Sequence, residues 1–216
     1  MKYKTTFLLD KKNKWIETHL KKFNFELDDK FSFKISDNYK TIKKQDLVFV
    51  LSYTKILPNF FLKKNKHTLV VHSSRLPKDR GFAPLSYRVL QNFNIIFFSL
   101  FRVEEKVDSG NIFLRSTLKL NGTELYDELR KKQAKMILNL IKKFLIKYPL
   151  IKSSKQSGKP NYNKRRYPKD SELNINKTIK QQFNHLRIND NKLYPSFFYY
   201  KDQKYIIKIF KEKDNF

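Results

Sequence analysis

Two residues in this chain combine a reactive side chain with a position that suits it. His72 closes the apolar run Leu69 to Val71 in "HTLVVHSSRLPKDRGFAP". Asp108 lies 36 residues further on in "NIIFFSLFRVEEKVDSGNIF", again behind a strongly apolar run. Gly81 follows the first and Gly110 the second, although the whole chain has only four glycines. Glycine in a chain that otherwise avoids it marks a required backbone geometry or a close ligand approach. An imidazole takes or gives a proton near neutral pH, and a carboxylate beside it orients the ring. A lone histidine is more often a surface or satisfied core residue. Here it ends a buried strand and has an aspartate counterpart in a similar loop, so the two read as an acid–base pair acting on a nucleophile.

The elements that must position this pair can be read from periodicity. "KTTFLL" is a first strand, and "NKWIETHLKKF" carries Trp15, Ile16, His19, Leu20 and Phe23 at helical spacing. "FSFKIS" alternates as a strand does. "DLVFVLSY" and "TLVVH" are continuous apolar runs, the mark of strands covered on both faces. "ILPNFFLKK" is a short helix or turn, "PLSYRVLQNF" has a helical period, and "NIIFFSLFRV" and "IFLRSTLKL" are strands. Asn121-Gly122 signals a turn. Thr123, with Glu124 and Asp127, predicts the start of the longest helix, which runs to Tyr148. Strands alternating with helices predict an α/β fold with an open, mostly parallel sheet over residues 1 to 150. Ligands bind such sheets at the carboxyl ends of the strands. His72 and Asp108 are therefore expected in two strand-end loops at one mouth.

Residues 151 to 170 are polar, hold Gly158, Pro160 and Pro168, and read as a loop leaving the sheet. "DSELNINKTIKQQFNHL" offers a helix. "SFFYYKDQKYIIKIF" reads as a hairpin turning at Asp202-Gln203. Residues 151 to 216 thus form a small C-terminal α+β appendage. Its aromatics Phe197, Phe198, Tyr199, Tyr200 and Tyr205 suit a core or subunit contact better than base stacking, and the exposed hairpin edge makes a homodimer a reasonable expectation.

Composition limits the function classes. With 40% hydrophobic and 15% aromatic residues, the chain can bury a proper core. No window approaches the roughly 18 consecutive apolar residues of a membrane span, and lysines interrupt the first apolar stretch, so the expectation is a cytoplasmic protein with no membrane partner. Without cysteine there is no disulfide framework or thiolate metal site, and the scattered histidines give no metal cluster. The net charge of +27 would ordinarily point to nucleic acid. The excess is mostly lysine, spread along the whole chain in a composition rich in Asn, Ile and Phe. It reads as a solvated surface, and nucleic acid is not the expected partner. No phosphate-cradling glycine loop follows the first strand, which argues against a dinucleotide cofactor.

"VVHSSRLPKDRGFAP" resembles the HxSxLPxxRGxxP block of N10-formyltetrahydrofolate-dependent formyltransferases, and "VEEKVDSGNI" resembles their DxGxI block. The two blocks stand in the family's order and spacing, and the likeness is good over about residues 45 to 135. The tail is similar to a subgroup that formylates amino sugars for surface polysaccharides such as lipopolysaccharide O-antigens or for flagellin glycans, including enzymes of pseudaminic-acid-type pathways. The resemblance implies a Rossmann-like core, N10-formyltetrahydrofolate as co-substrate, tetrahydrofolate as product, a nucleotide-linked amino sugar as acceptor, and no metal.

Residue by residue, the resemblance implies that His72 and Asp108 are the catalytic pair. Backbone groups of Ile56 and Leu57 and the loop of Val103, Glu104 and Glu105 would hold the pterin, over a floor shaped by Leu76 and Pro77. His72 would either stabilise the tetrahedral oxyanion or take the proton of the attacking amine. The family usually carries Asn two residues before the histidine, where this chain has Val70. Ser73, Ser74 or a backbone N–H would then have to supply that donor. Arg80, beside Gly81, either faces the substrate or braces the loop through a carboxylate. Arg165 and Arg166 either grip a pyrophosphate, whose oxygens match arginine forks, or belong to a solvated basic loop. The rival readings are a formyltransferase acting on methionyl-tRNA or a purine precursor, and a basic RNA-binding protein on an inactive enzyme fold.

Overall fold

The computed structural model describes residues 2–11, 15–27 and 29–212. Along the chain the elements are β1 (Tyr3–Leu9), α1 (Glu17–Lys22), β2 (Phe31–Ser36), β3 (Leu47–Leu51), α2 (Asn59–Lys64), β4 (His67–His72), β5 (Arg80–Gly81) and α3 (Pro84–Leu90). They continue with β6 (Ile95–Arg102), β7 (Ile112–Lys119), α4 (Tyr126–Lys147), β8 (Tyr162–Asn163), α5 (Ile179–Arg187), β9 (Ser196–Tyr200) and β10 (Gln203–Ile207). Asn13 and Lys14, where the first helix was expected to begin, lie outside the described residues.

Six strands form one sheet in the order β2-β1-β3-β4-β6-β7. The first four are mutually parallel, whereas β6 runs antiparallel to β4 and β7 antiparallel to β6. Neighbouring residues of a strand point to opposite faces, so β1 and β3 feed two layers. Phe7 and Phe49 join Phe144, Ile141 and Leu138 of α4 in the main core. Leu8, Val48 and Val50 meet Leu57 and Phe61 of the α2 segment on the other face. β3 is buried along its whole length, as its unbroken apolar sequence requires. The architecture is the expected mostly parallel α/β sheet, with a small two-stranded sheet, β9 and β10, near the C-terminus.

Three local expectations need correction. Thr123 does not start α4. The helix begins at Tyr126, and Glu128 reaches back to the N–H of Leu125 at 2.9 Å. Glu124 instead accepts the N–H groups of Asn121 (2.7 Å) and Gly122 (3.0 Å), so it closes the preceding turn. The hairpin turns at Lys201-Asp202, one residue earlier than expected. Both residues have positive φ (45° and 61°), the mirror-image geometry that matches the twist of the flanking strands. Finally, residues 151 to 170 do not leave the sheet. Ser154 pairs with Ile112 through two backbone hydrogen bonds (2.8 and 2.9 Å), and β8 pairs in parallel with β5. This segment is a strap folded back over the loops that follow β4 and β6.

Candidate active site

His72 ends β4 at its carboxyl end and shares a face with Val70. Its Nε2 lies 2.9 Å from the carbonyl oxygen of Asp79 and 3.6 Å from Oδ2 of Asp108. A carbonyl can only accept, so Nε2 carries the proton and Nδ1 is left as the acceptor nitrogen. The same Asp108 oxygen accepts the Gly81 N–H at 2.7 Å. The side chains of His72 and Asp108 are 12% and 17% exposed, shielded yet still reachable from solvent.

The two residues meet, but not as two carboxyl ends at one mouth. Because β6 is antiparallel to β4, Arg102 at its end pairs with Leu69, three residues before His72. The loop 103–111 therefore starts about 10 Å short of the imidazole and doubles back along β4. The N–H of Val103 bonds to the Thr68 carbonyl at 2.8 Å as the return begins. Gly110 makes the return possible, because a Cβ there would stand 1.9 Å from the Arg102 carbonyl oxygen. Gly81 is required for a different reason. Its φ is +92°, and a Cβ would approach the Asn163 carbonyl to 2.7 Å, which would part β5 from β8.

Arg80 does not face the mouth. It is 6% exposed, and its guanidinium donates to Gln156 Oε1 (2.7 Å) and the Tyr162 hydroxyl (3.2 Å) and lies over the Tyr162 ring. It braces the loop, through an amide and a phenol rather than a carboxylate. The serines turn inward as well. Ser73 accepts from Gln133 of α4 at 2.8 Å, and the Ser74 hydroxyl is buried without a partner among the described residues. Neither hydroxyl is placed to replace the missing amide at position 70. Val70 packs against Leu76, Phe101 and Ile112.

The residues assigned to the pterin divide into two groups. Leu76 and Pro77 are buried beneath the His72 loop, while Leu57 and Val103 share the apolar cluster between α2 and the sheet. Ile56 is 84% exposed, Glu104 faces Arg102 at 3.6 Å on the surface, and Glu105 is exposed. An open cleft of about 470 Å³ separates α2 from the loop 103–109, bordered by Asn59, Leu62, Thr68 and Val103. The two basic strap residues also divide. Arg165 is exposed and lies over the Phe82 and Tyr167 rings (5.8 and 5.9 Å). Arg166 turns inward to the Asp170 carbonyl at 2.7 Å, and burial pushes its pKa down. They do not form a paired fork.

Sequence reasoning missed Asp79, Gln156, Asn161 and Tyr162. Asn161 accepts the Asp79 N–H at 3.0 Å, and its own carbonyl accepts the Arg80 N–H at 3.1 Å. The available signal was Tyr162, an aromatic ring within a mostly polar segment, which stays half exposed while its hydroxyl and face receive Arg80.

The chain and its fold have known relatives. Residues 3–143 match the formyl transferase family, and the chain belongs to it. It is 30% identical over 148 residues to a methionyl-tRNA formyltransferase of Fusobacterium nucleatum, covering 66% of this chain and 47% of that protein. Its identity to the bifunctional polymyxin resistance protein ArnA of Wigglesworthia glossinidia brevipalpis is also 30%, over 83% of this chain and 28% of the relative. The chain thus spans about half, or less, of the length of these curated relatives. Among solved structures it resembles a methionyl-tRNA formyltransferase from Clostridium thermocellum (TM-score 0.83, 22% identity, 99% and 95% of the two chains covered). It also resembles a sugar N-formyltransferase from a Shewanella species (0.73, 16%, 98% of each chain). A third likeness is to HypX from Aquifex aeolicus in complex with tetrahydrofolic acid (0.72, 15%, 97% and 38%). At these identities the structural likenesses establish the fold.

Proposed function

We propose that the chain transfers a formyl group from N10-formyltetrahydrofolate to the amine of a nucleotide-linked amino sugar. The observation that carries the reading is the approach of His72, at the end of β4, to Asp108 in the loop after β6, with the Asp108 carboxylate held by the Gly81 N–H. Membership of the formyl transferase family supports the reaction type, and the neighbour bound to tetrahydrofolic acid supports the donor. The likeness to a sugar N-formyltransferase along nearly all of both chains supports the acceptor, as does the outward-facing Arg165 between two exposed rings.

The reaction is then an attack of the amine nitrogen on the formyl carbon. A C–N bond forms to the acceptor, and the bond from the formyl carbon to N10 of the folate breaks. His72 Nδ1 takes the amine proton, and Nε2 stays pinned to the Asp79 carbonyl. The Asp108 carboxylate stabilises the imidazolium, which returns its proton to N10 of the leaving tetrahydrofolate. One positioned acid–base group contributes about 10²–10⁴ in rate. With Val70 apolar, position 70 offers the oxyanion no hydrogen bond.

A second reading, formyl transfer to methionyl-tRNA, is favoured by the names of the Fusobacterium and Clostridium proteins. A homodimer through the β9–β10 hairpin, where Tyr199, Tyr205 and Ile206 are exposed, is part of the proposal.

The test is a thermal melt with 5-formyltetrahydrofolate, followed by formyl transfer assays on nucleotide amino sugars and on methionyl-tRNA. At about 100 Kd the ligand adds roughly 2.7 kcal/mol, a rise of roughly 5–10 °C in Tm for a chain of this size. No rise at saturation removes the folate reading, and transfer to methionyl-tRNA alone replaces the sugar.

A further inference from the structure

Gln156 stands apart from the rest of the strap. It is half-buried, whereas its neighbours Lys155 and Ser157 are exposed. Its side-chain amide is used at both ends. Nε2 donates to the carbonyl oxygens of Asp108 and Gly110, both at 2.8 Å, and Oε1 accepts from Arg80 at 2.7 Å. The residue after Arg80, Gly81, donates its N–H to the Asp108 carboxylate. These contacts close a ring that runs from Gln156 through Arg80 and Gly81 to Asp108 and back to Gln156. The ring joins the two loops that carry the candidate catalytic pair.

The Asp108 loop needs such support. It enters from the far end of β4, and Asp108 itself has a φ of 50°. Left-handed backbone is uncommon for a residue with a side chain and persists where the surroundings over-determine it. Gln156 grips that residue by its own carbonyl and grips the carbonyl two positions on. Released from these bonds, the Asp108 carboxylate would no longer be held against Gly81 and His72.

We propose that Gln156 is a positioning residue: it holds the backbone of Asp108 and Gly110 so that the Asp108 carboxylate faces His72. The kinetic consequence rests on the formyl transfer reading; the geometric consequence does not.

Two substitutions separate positioning from anchoring of the strap. Gln156→Ala removes every contact. Gln156→Glu keeps an acceptor for Arg80 but sets oxygens against the two carbonyls. Lys155→Ala serves as the control. For each variant, kcat, KM for the formyl donor, Tm and hydrogen exchange of the Gly81 amide are measured. Both Gln156 variants are expected to lose about 10- to 100-fold in kcat, the scale of an ångström of misplacement. KM for the donor should stay within about threefold, and the Gly81 amide should exchange at least about tenfold faster, while distant core amides keep their protection. A Gln156→Glu variant with unchanged Gly81 protection and unchanged kcat overturns the proposal. Faster exchange throughout the molecule also overturns it, because Gln156 would then support only the fold. If the unaltered chain transfers formyl to no amine tested, Gly81 exchange decides alone. Faster local exchange in the variants keeps the positioning role while the formyl transfer reading falls, and unchanged exchange removes the positioning role.

Discussion

Of the places where a basic side chain meets a carboxylate among the described residues, two shielded clusters are finished differently. Glu124 is 2% exposed and receives four donors: the Asn121 and Gly122 N–H groups, Lys132 at 2.5 Å and Arg187 at 3.3 Å. Arg187, on α5, is 1% exposed, so this cluster fastens the C-terminal helix to the turn before α4. Burial pushes the Glu124 carboxyl up, but the bonds from Lys132 and the backbone outweigh it and hold its pKa down to about 2. His72 and Asp108 stand 3.6 Å apart, beyond hydrogen-bond reach, and both remain partly exposed. Among the described residues, the Asp108 carboxylate takes one hydrogen bond, from Gly81. A saturated pair holds structure and has no capacity left to exchange a proton. An unsaturated pair keeps that capacity, and the surrounding loops must supply the order that its own bonds do not.

Removing either member of the unsaturated pair should give the largest effect on turnover. His72→Ala and Asp108→Ala are each expected to lower kcat/KM by about 10²–10⁴, with little change in a thermal melt. Near-normal turnover in either variant would break the comparison at its functional end. Next in size is the saturated pair. Glu124→Gln leaves the Arg187 guanidinium buried without its carboxylate, which costs about 3–5 kcal/mol and so roughly 6–20 °C in Tm. Turnover per folded molecule should persist. A variant that melts like the parent would show that the bridge to α5 does not hold the fold.

Gly110→Ala tests how the active pair is delivered. The added methyl meets the Arg102 carbonyl and pushes the Asp108 loop outward, so kcat should fall about 10- to 100-fold with His72 untouched. Retained activity would mean that the loop has room to yield.

The pH dependence of stability sharpens the comparison further. A carboxyl whose folded pKa lies below its ordinary 4.5 contributes its full share above that pH and loses it as the pH falls toward about 2. Denaturant midpoints should therefore decline across that window, and Glu124→Gln should flatten the decline. The smallest effect comes from His67 and His185. Burial lowers both pKa values, helped at His67 by Arg102 and Lys66. A histidine whose folded pKa lies below its ordinary 6.5 costs stability as the pH drops below that value. A shallow loss should begin there, and replacing both residues with Gln should remove it.

The architecture was largely legible because burial writes itself into short periods. The all-apolar "LVFVL" of β3 and the helical spacing along α4 name their elements without any knowledge of partners. The candidate pair was legible too, through chemical type and the two glycines nearby. Strand direction was not. An apolar run has the same pattern whichever way it points, so nothing in "NIIFFSLFRV" distinguishes a parallel β6 from the antiparallel one that sends Asp108 back along β4. Glu124 and Arg187 were equally hidden, since two charged residues 63 positions apart read as surface until the fold buries them together.

By itself the sequence determined the strands and helices, the two chemical groups and the glycines that let their loops bend, because these depend on side-chain type and short-range spacing. Tertiary structure alone decided that the strap returns, that Arg80 is buried against Gln156 and Tyr162, that both serines turn inward, and that Gln156 links the two loops. Those outcomes depend on which polar atoms come within 3 Å of one another, and that distance is set by chain segments dozens of residues apart.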